Sequence, residues 1–324
     1  MLQDRFGRNH NYLRIALTEK CNLRCTYCMP SEGLKLSPNK NLMSPNEIYF
    51  IAKAFCKLGV NKIRLTGGEP LVRKELREIL DLLRTLPVEL TLTTNGILLD
   101  QHLSDLISAN VKSINVSLDT LCPKKFQQIT RRSYFEKVIS NIGLLLQHNF
   151  LVKVNVVLMK GFNDDELLDF VNLTKEKKLQ LRFIEFMPFS GNKWEQSKQF
   201  SFKEALEEIR KTLEIVKVND EYHSTSKNYK VSGYKGSFGF ITTITQNFCS
   251  SCNRLRLTAN GKMRNCLFAQ GEIDLLTAIR KGQNIEGLIK EELSKKKEKL
   301  GGKNDFQNYD PALDKNRSMI LIGG

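Results

Sequence analysis

Residues 21–28 read Cys-Asn-Leu-Arg-Cys-Thr-Tyr-Cys, so Cys21, Cys25 and Cys28 follow the pattern C-x3-C-x2-C. Three clustered thiolates can bind three irons of a [4Fe–4S] cube and leave the fourth iron open. An open iron accepts a ligand, which suits reaction rather than structural support. Zinc is the plain alternative. Structural zinc takes four ligands, and the nearest further candidate, His10, stands well ahead of the run. A disulfide framework would leave an odd thiol over.

A second trio, Cys249, Cys252 and Cys266, has the spacing C-x2-C-x13-C. The wide last gap fits a ligand carried back on a hairpin, and a zinc ribbon short of one ligand is the competing reading. Arg254 and Arg256 follow directly. Two residues apart on a strand share a face, and paired guanidiniums suit phosphate or another anionic oxygen. Gly67-Gly68-Glu69-Pro70 sets open backbone beside a carboxylate, where a ligand could approach the main chain. An ordinary strand-to-helix turn would explain that segment by itself. Cys56 lies in a helical pattern and Cys122 opens another, so both read as packing residues.

The first trio with Tyr27 before its last cysteine resembles the signature of radical S-adenosylmethionine (SAM) enzymes, from about residue 10 to the chain end. The remaining motifs resemble the GTP 3′,8-cyclase family, which begins molybdenum-cofactor (molybdopterin) biosynthesis. They are the Gly67–Pro70 turn, Leu-Thr-Thr-Asn-Gly at 92–96, Arg-Phe-Ile-Glu-Phe-Met at 182–187, the second trio with its Arg-Leu-Arg, and the terminal Gly323-Gly324. The resemblance implies two [4Fe–4S] clusters, one on each trio. It implies SAM contacts from Tyr27, Gly68, Ser117 and Met187. It implies GTP contacts from Arg14, Arg64, Thr93, Lys153, Arg254 and Arg256, with Lys62 and Arg182 as helpers. Arg256, Gly323 and Gly324 would assist the chemistry, the terminal pair by threading into the site. The implied activity is a lyase that consumes SAM to 5′-deoxyadenosine and methionine. It converts GTP to (8S)-3′,8-cyclo-7,8-dihydroguanosine 5′-triphosphate. Implied partners are an electron donor such as flavodoxin or ferredoxin and a downstream cyclic pyranopterin monophosphate synthase. A homodimer is left open.

These residues need a frame. Strand-like runs at 13–17, 62–66, 88–93, 113–118, 151–158 and 179–186 alternate with helical patterns, which favours a parallel sheet. Ser44-Pro45-Asn46-Glu47 reads as a capping box with proline at the first helical position, and Gly59 as the close of that helix. Six units fall short of an eightfold barrel. With the resemblance, the expected fold is α/β: an open, partial TIM-like (β/α)6 barrel over 5–212. A smaller C-terminal α+β region over 213–324 would carry the second cluster. In βα arrays chemistry gathers at the C-terminal strand ends. The later region predicts strands at 229–232 and 238–243, a hairpin over 255–263 turning at Asn260-Gly261, and helices at 273–281 and 285–300. Residues 295–299 read as a solvated helix face and 301–315 as loop.

The 324 residues are 41% hydrophobic, enough for a sizeable core, and carry a net charge of +15. Two other function classes stay in play: a radical SAM enzyme acting on a peptide, with the second cluster as an electron conduit, and a non-enzymatic zinc- or cluster-bearing nucleic-acid binder, which the charge suggests. No interleaving of aromatic and basic residues marks a nucleic-acid face, so no nucleic-acid partner is expected. No apolar run reaches about 18 residues, and the polar start lacks a signal-peptide core, so a soluble cytoplasmic protein without a membrane partner is expected.

Overall fold

Alternating apolar and polar residues build the sheet strand by strand. A computed structural model describes residues 1–29, 33–192, 194–303, 305–306 and 318–323. Six β-then-α units come first. They are β1 (Tyr12–Ala16) and α1 (Pro45–Lys57), β2 (Lys62–Thr66) and α2 (Leu76–Leu83), then β3 (Glu89–Thr94) and α3 (Leu99–Ser108). Next, β4 (Ser113–Ser117) is followed by both α4 (Pro123–Thr130) and α5 (Phe135–Gln147). The last two are β5 (Leu151–Leu158) with α6 (Leu167–Glu176), and β6 (Gln180–Glu185) with α7 (Phe202–Arg210). The capping box forms as expected: Ser44 Oγ accepts from Glu47 N–H at 3.3 Å, and Glu47 accepts from Ser44 N–H at 2.7 Å. Gly59, at φ +103°, follows the end of α1.

The remaining strands are β7 (Ile215–Lys217), β8 (Ser226–Val231), β9 (Ser237–Ile241), β10 (Arg254–Leu257), β11 (Lys262–Arg264) and β12 (Ile273–Asp274). All join one sheet, ordered β12-β11-β10-β1-β2-β3-β4-β5-β6-β9-β8-β7. β10 pairs parallel with β1, and β9 with β6, so the parallel run extends past both ends of the six-unit array. The outer strands are antiparallel, and β12 and β7 do not meet, leaving the sheet open. The segment after 212 thus contributes to both edges of the sheet that the first segment begins.

Each parallel strand presents an apolar and a polar face. Leu13, Ile15, Ile63, Leu65, Leu255 and Leu257 are fully buried in the main core with the helices. The intervening residues are Tyr12, Arg14, Lys62, Arg64, Arg254 and Arg256, which therefore share the opposite face.

Two expectations at the C-terminal side need correction. The helix expected over 285–300 ends sooner, as α9 (Ile285–Ser294), after α8 (Leu275–Arg280). Ile285, Ile289 and Leu293 are its buried stripe, and the next position in that register is Lys297, which cannot extend it. Residues 295–299 are accordingly not a helix face, and Lys296 is only 2% exposed. Part of 301–315 and Gly324 lie outside the described residues. The short helix α10 (Met319–Ile322) leads to Gly323.

Candidate functional site

The first trio follows β1 and is clamped to the turn after β2. Leu17 N–H donates to Thr66 O, Gly68 N–H to Thr18 O and Glu69 N–H to Lys20 O, at 2.9, 2.7 and 2.8 Å. This close approach explains both glycines. A Cβ on Gly67 would sit 2.6 Å from Thr18 O, and one on Gly68 only 2.3 Å from Lys20 O. The sequence suggests that these glycines admit a ligand; the structure shows the chain's own backbone in that place. Gly68→Ala should cost about 2–3 kcal/mol, because backbone cannot swing aside as a side chain can. Urea denaturation would register this as a lower midpoint at unchanged slope.

Glu69 is a buried hub. Its carboxylate accepts from Thr94 Oγ1 at 2.7 Å, Asn95 N–H at 2.7 Å and Leu71 N–H at 3.0 Å, which ties the end of β2 to the end of β3. Burial lifts its carboxyl to about 7 despite those donors. Asp119, beyond β4, accepts from Tyr27 OH at 2.6 Å and Val157 N–H at 2.8 Å. Together these groups line a cavity that is open to solvent. Cys21, Cys25, Cys28, Tyr27, Gly68, Thr93 and Ser117 all line it. Met187 does not. It packs with Phe186, Phe189, Trp194 and Phe268 in a smaller apolar cluster, which Tyr27 also touches.

The donor set can be tested against the group it would hold. Among the described residues, no three His, Cys, Asp or Glu converge as ligands of one metal ion would. Thiolates of a cube bind separate irons and need not converge on a point. Leu23 N–H and Asn95 Nδ2 point at Cys21 Sγ, 3.4 and 3.8 Å away, an arrangement that stabilises an anionic sulfur. Burial pushes the Cys21 thiol up to about 11 and the Cys28 thiol to about 12, so metal uptake must release protons. These residues fit an iron–sulfur cube.

The second trio sits around the hairpin of β10 and β11, as its spacing predicts. Cys249 and Cys252 precede β10, and Cys266 follows β11. Leu300 N–H approaches Cys249 Sγ at 3.5 Å, and Lys296 Nζ approaches Cys252 Sγ at 3.8 Å. Sulfur-directed donors recur here, and this trio fits a cluster as well. His10 is not aimed at it through Nε2, which Asp4 Oδ2 engages at 3.0 Å.

Topology then separates the two trios. Cys21 lies beyond the end of β1, whereas Cys252 lies before the start of β10, which runs parallel beside β1. The trios therefore occupy opposite ends of one strand pair, with roughly 15 Å of strand between them. The register fills that interval with cations, since Arg14 stands level with Arg64 on one side and Arg256 on the other. Arg64 donates to Tyr12 OH at 2.5 Å, Leu92 O at 2.9 Å and Thr93 Oγ1 at 3.4 Å. Arg182 donates to Asn155 Oδ1 at 2.7 Å. Among the described residues, Arg64, Lys153, Arg182, Arg254 and Arg256 have no carboxylate partner within 4.0 Å, while Lys62 is paired with Glu89 at 2.9 Å. Burial and then mutual repulsion lower Arg14 to about 10, Arg182 to about 9 and Lys153 to about 8. The cations occupy the beginnings and middles of the strands, not the ends the sequence suggests.

The tail enters this interval. Ser318 Oγ donates to Cys28 O at 2.7 Å, and Met319 and Ile320 line the cavity of the first trio. Farther on, Arg256 Nη1 donates to Gly323 O at 2.5 Å. Gly323 has φ +76°, and a Cβ there would lie 2.9 Å from Thr66 Oγ1 and 3.0 Å from Ala16 Cβ. Gly324 lies outside the described residues. Sequence reasoning gave no role to Tyr12 or Lys296, and it noted Asn95 and Asp119 without a role. Asn95 and Asp119 stand at strand ends, where a signal existed. Tyr12 could have been found from its even spacing with Arg14, and Lys296 had no signal.

Residues 15–174 match the Radical SAM superfamily, and 179–301 match Molybdenum Cofactor Synthesis C. The fold resembles that of SuiB of Streptococcus suis, solved bound to S-adenosylmethionine. The TM-score is 0.57 at 16% identity, over 84% of this chain and 65% of that one. Molybdenum cofactor biosynthesis protein 1 of Homo sapiens is 46% identical over 99% of this chain and 51% of its own length. The chain thus spans about half the length of such relatives. It spans far more of the mitochondrial GTP 3′,8-cyclase of Arabidopsis thaliana, 46% identical over 100% of this chain and 84% of that protein. An α/β sheet left open, a cysteine trio at the end of its first strand, and similarity along the whole chain place it in the GTP 3′,8-cyclase family of radical SAM proteins.

Proposed function

We propose that this chain converts GTP into (8S)-3′,8-cyclo-7,8-dihydroguanosine 5′-triphosphate, consuming SAM, at the start of molybdenum-cofactor biosynthesis. The observation that carries this reading is the cationic face between two cysteine trios at opposite ends of β1 and β10. Cys21, Cys25 and Cys28 would hold one [4Fe–4S] cluster, and Cys249, Cys252 and Cys266 a second. When bound, the first cluster and SAM supply one-electron chemistry that removes a hydrogen atom from carbon. SAM would occupy the cavity lined by Tyr27, Gly68 and Ser117; Met187 would reach it only from the adjoining apolar cluster. The chain's own work is placement. Arg14, Arg64, Arg254 and Arg256 would grip the triphosphate with forked, charge-assisted donors, Lys153 would add a point charge, and Thr93 stands where the two ligands meet. Arg182 would join them. The tail would close the interval, excluding water from the reacting carbon, with Gly323 held by Arg256.

The division at 212 assigns SAM to the first segment and the purine end of GTP to the second. A flavodoxin or ferredoxin would supply electrons, and a cyclic pyranopterin monophosphate synthase would take the product. Reduced cytoplasmic surroundings suit eight free cysteines, although the Arabidopsis relative is named mitochondrial. No described helix is long and apolar enough to cross a membrane. The deciding experiment is single turnover of dithionite-reduced protein with GTP deuterated at C3′. Deuterium should appear in 5′-deoxyadenosine, and its absence would remove the reading.

A pH dependence follows from Lys153. The triphosphate favours its ammonium form, and burial with Arg182, Arg64 and Lys62 sets its proton loss at about 8. GTP affinity should therefore be full below that pH and fall as pH rises through it, by up to about tenfold per pH unit for one proton. Calorimetric titration from pH 7 to 9 should show the fall, and Lys153→Met should flatten it.

A further inference from the structure

Lys296 is a lysine with almost no contact with water, 2% exposed, in a run where charge would be expected to face solvent. Its ammonium donates to Arg254 O at 3.3 Å and to Asn265 O, and lies 3.8 Å from Cys252 Sγ. Asn265 precedes Cys266 and Arg254 follows Cys252 by two, so this side chain joins the two strands that carry the trio. Among the described residues no carboxylate comes within 4.0 Å of it. A buried ammonium without an anion is costly, so the site calls for negative charge at the sulfur it faces. The segment that delivers Lys296 is itself held. Arg8 is fixed by Asp4 at 2.6 Å and donates to Cys249 O, Glu298 O and Lys297 O at 2.7, 2.6 and 2.9 Å. Leu300 N–H completes the set at Cys249 Sγ.

We propose that Lys296 is a positioning residue for the second trio. It fixes Cys252 relative to Cys266 through the two carbonyls and offsets the charge of the metal-bound sulfur. This rests on the reading that Cys249, Cys252 and Cys266 hold a cluster.

The test uses the full chain with Cys21, Cys25 and Cys28 all replaced by alanine, so that only the second trio can load. After anaerobic reconstitution, iron release to a chelator and the midpoint potential of the remaining cluster are measured with and without Lys296→Met. Release should be about 10–100-fold faster in the variant. The midpoint should move to more negative values, because a cation beside the sulfur stabilises the added electron. Lys296→Arg should restore the potential at least in part. Should Lys296→Met fail to fold, Lys296→Gln, which keeps a donor on a side chain one atom shorter and removes the charge, takes its place. Unchanged release and unchanged midpoint in the folded variant would overturn the proposal. A background chain that retains no iron at all would overturn the cluster reading beneath it, and would do so before position 296 is altered.

Discussion

Cys25→Ala should abolish SAM cleavage, lowering 5′-deoxyadenosine formation by more than about 10³-fold, while GTP binding stays within about threefold of the parent. The selectivity follows from where Cys25 is anchored. Its carbonyl accepts from Cys28 N–H at 3.0 Å and Met29 N–H at 2.9 Å, and these main-chain bonds survive loss of the thiol. The loop therefore keeps its turn and loses only a ligand. A cube held by two thiolates instead of three should not persist, so iron should fall from about eight to about four per chain. The cations that would meet GTP stand on β1, β2, β5, β6 and β10, away from this loop, and should be undisturbed. Iron and sulfide analysis, product chromatography and equilibrium dialysis with labelled GTP provide the three readouts. A variant that cleaves SAM at the parental rate would show that the first trio is not the reactive centre.

That separation of ligand loss from fold loss was partly legible beforehand. Thiol spacing is a local property, so both trios could be read from the chain. The polar face was implicit in the alternation of Tyr12, Leu13, Arg14 and Ile15, since a strand sends successive side chains to opposite sides. The six βα units and the capping box at Ser44 rest on short-range preferences and came through within a residue or two. What could not be read was the pairing of distant strands. Nothing near Arg254 says that β10 lies beside β1, yet that one parallel contact sets Arg256 level with Arg14 and puts the trios at opposite ends of the strands. Glu69 was visible only as a carboxylate beside glycines, because its partners Thr94 and Asn95 lie on another strand. Lys296 was hidden for a similar reason. A lysine among lysines carries no sign of burial, and its carbonyl partners lie 31 and 42 residues away. For Gly323 the resemblance implied entry into the site, but its neighbours could not be read, since close packing on Ala16 and Thr66 depends on the sheet being in place.

Arg256→Ala tests whether that tail contact works in the reaction. Arg256 is 7% exposed, and burial followed by the fields of Arg14, Arg254 and Arg264 holds its pKa well below the ordinary guanidinium value. A cation kept among cations costs stability, so its removal relieves repulsion and should leave the melting temperature unchanged or slightly raised. Function should move the other way. The substitution removes a charged donor to Gly323 O, a bond of a class worth about 1.5–3 kcal/mol, together with one cation for the triphosphate. Cyclisation should fall by about 10²–10³-fold, with iron content intact and SAM cleavage uncoupled from product. Arg256→Lys should rescue little, because an ammonium cannot reproduce the planar fork that reaches both tail and anion. Deleting Gly323-Gly324 in the Arg256→Ala background then discriminates between one role and two. If Arg256 acts by docking the tail, the combined variant should be no worse than the more severe single change, since both remove the same contact. Strictly additive losses would instead mean that Arg256 serves the nucleotide alone and that the glycines act elsewhere. Near-parental cyclisation in Arg256→Ala would discard both roles.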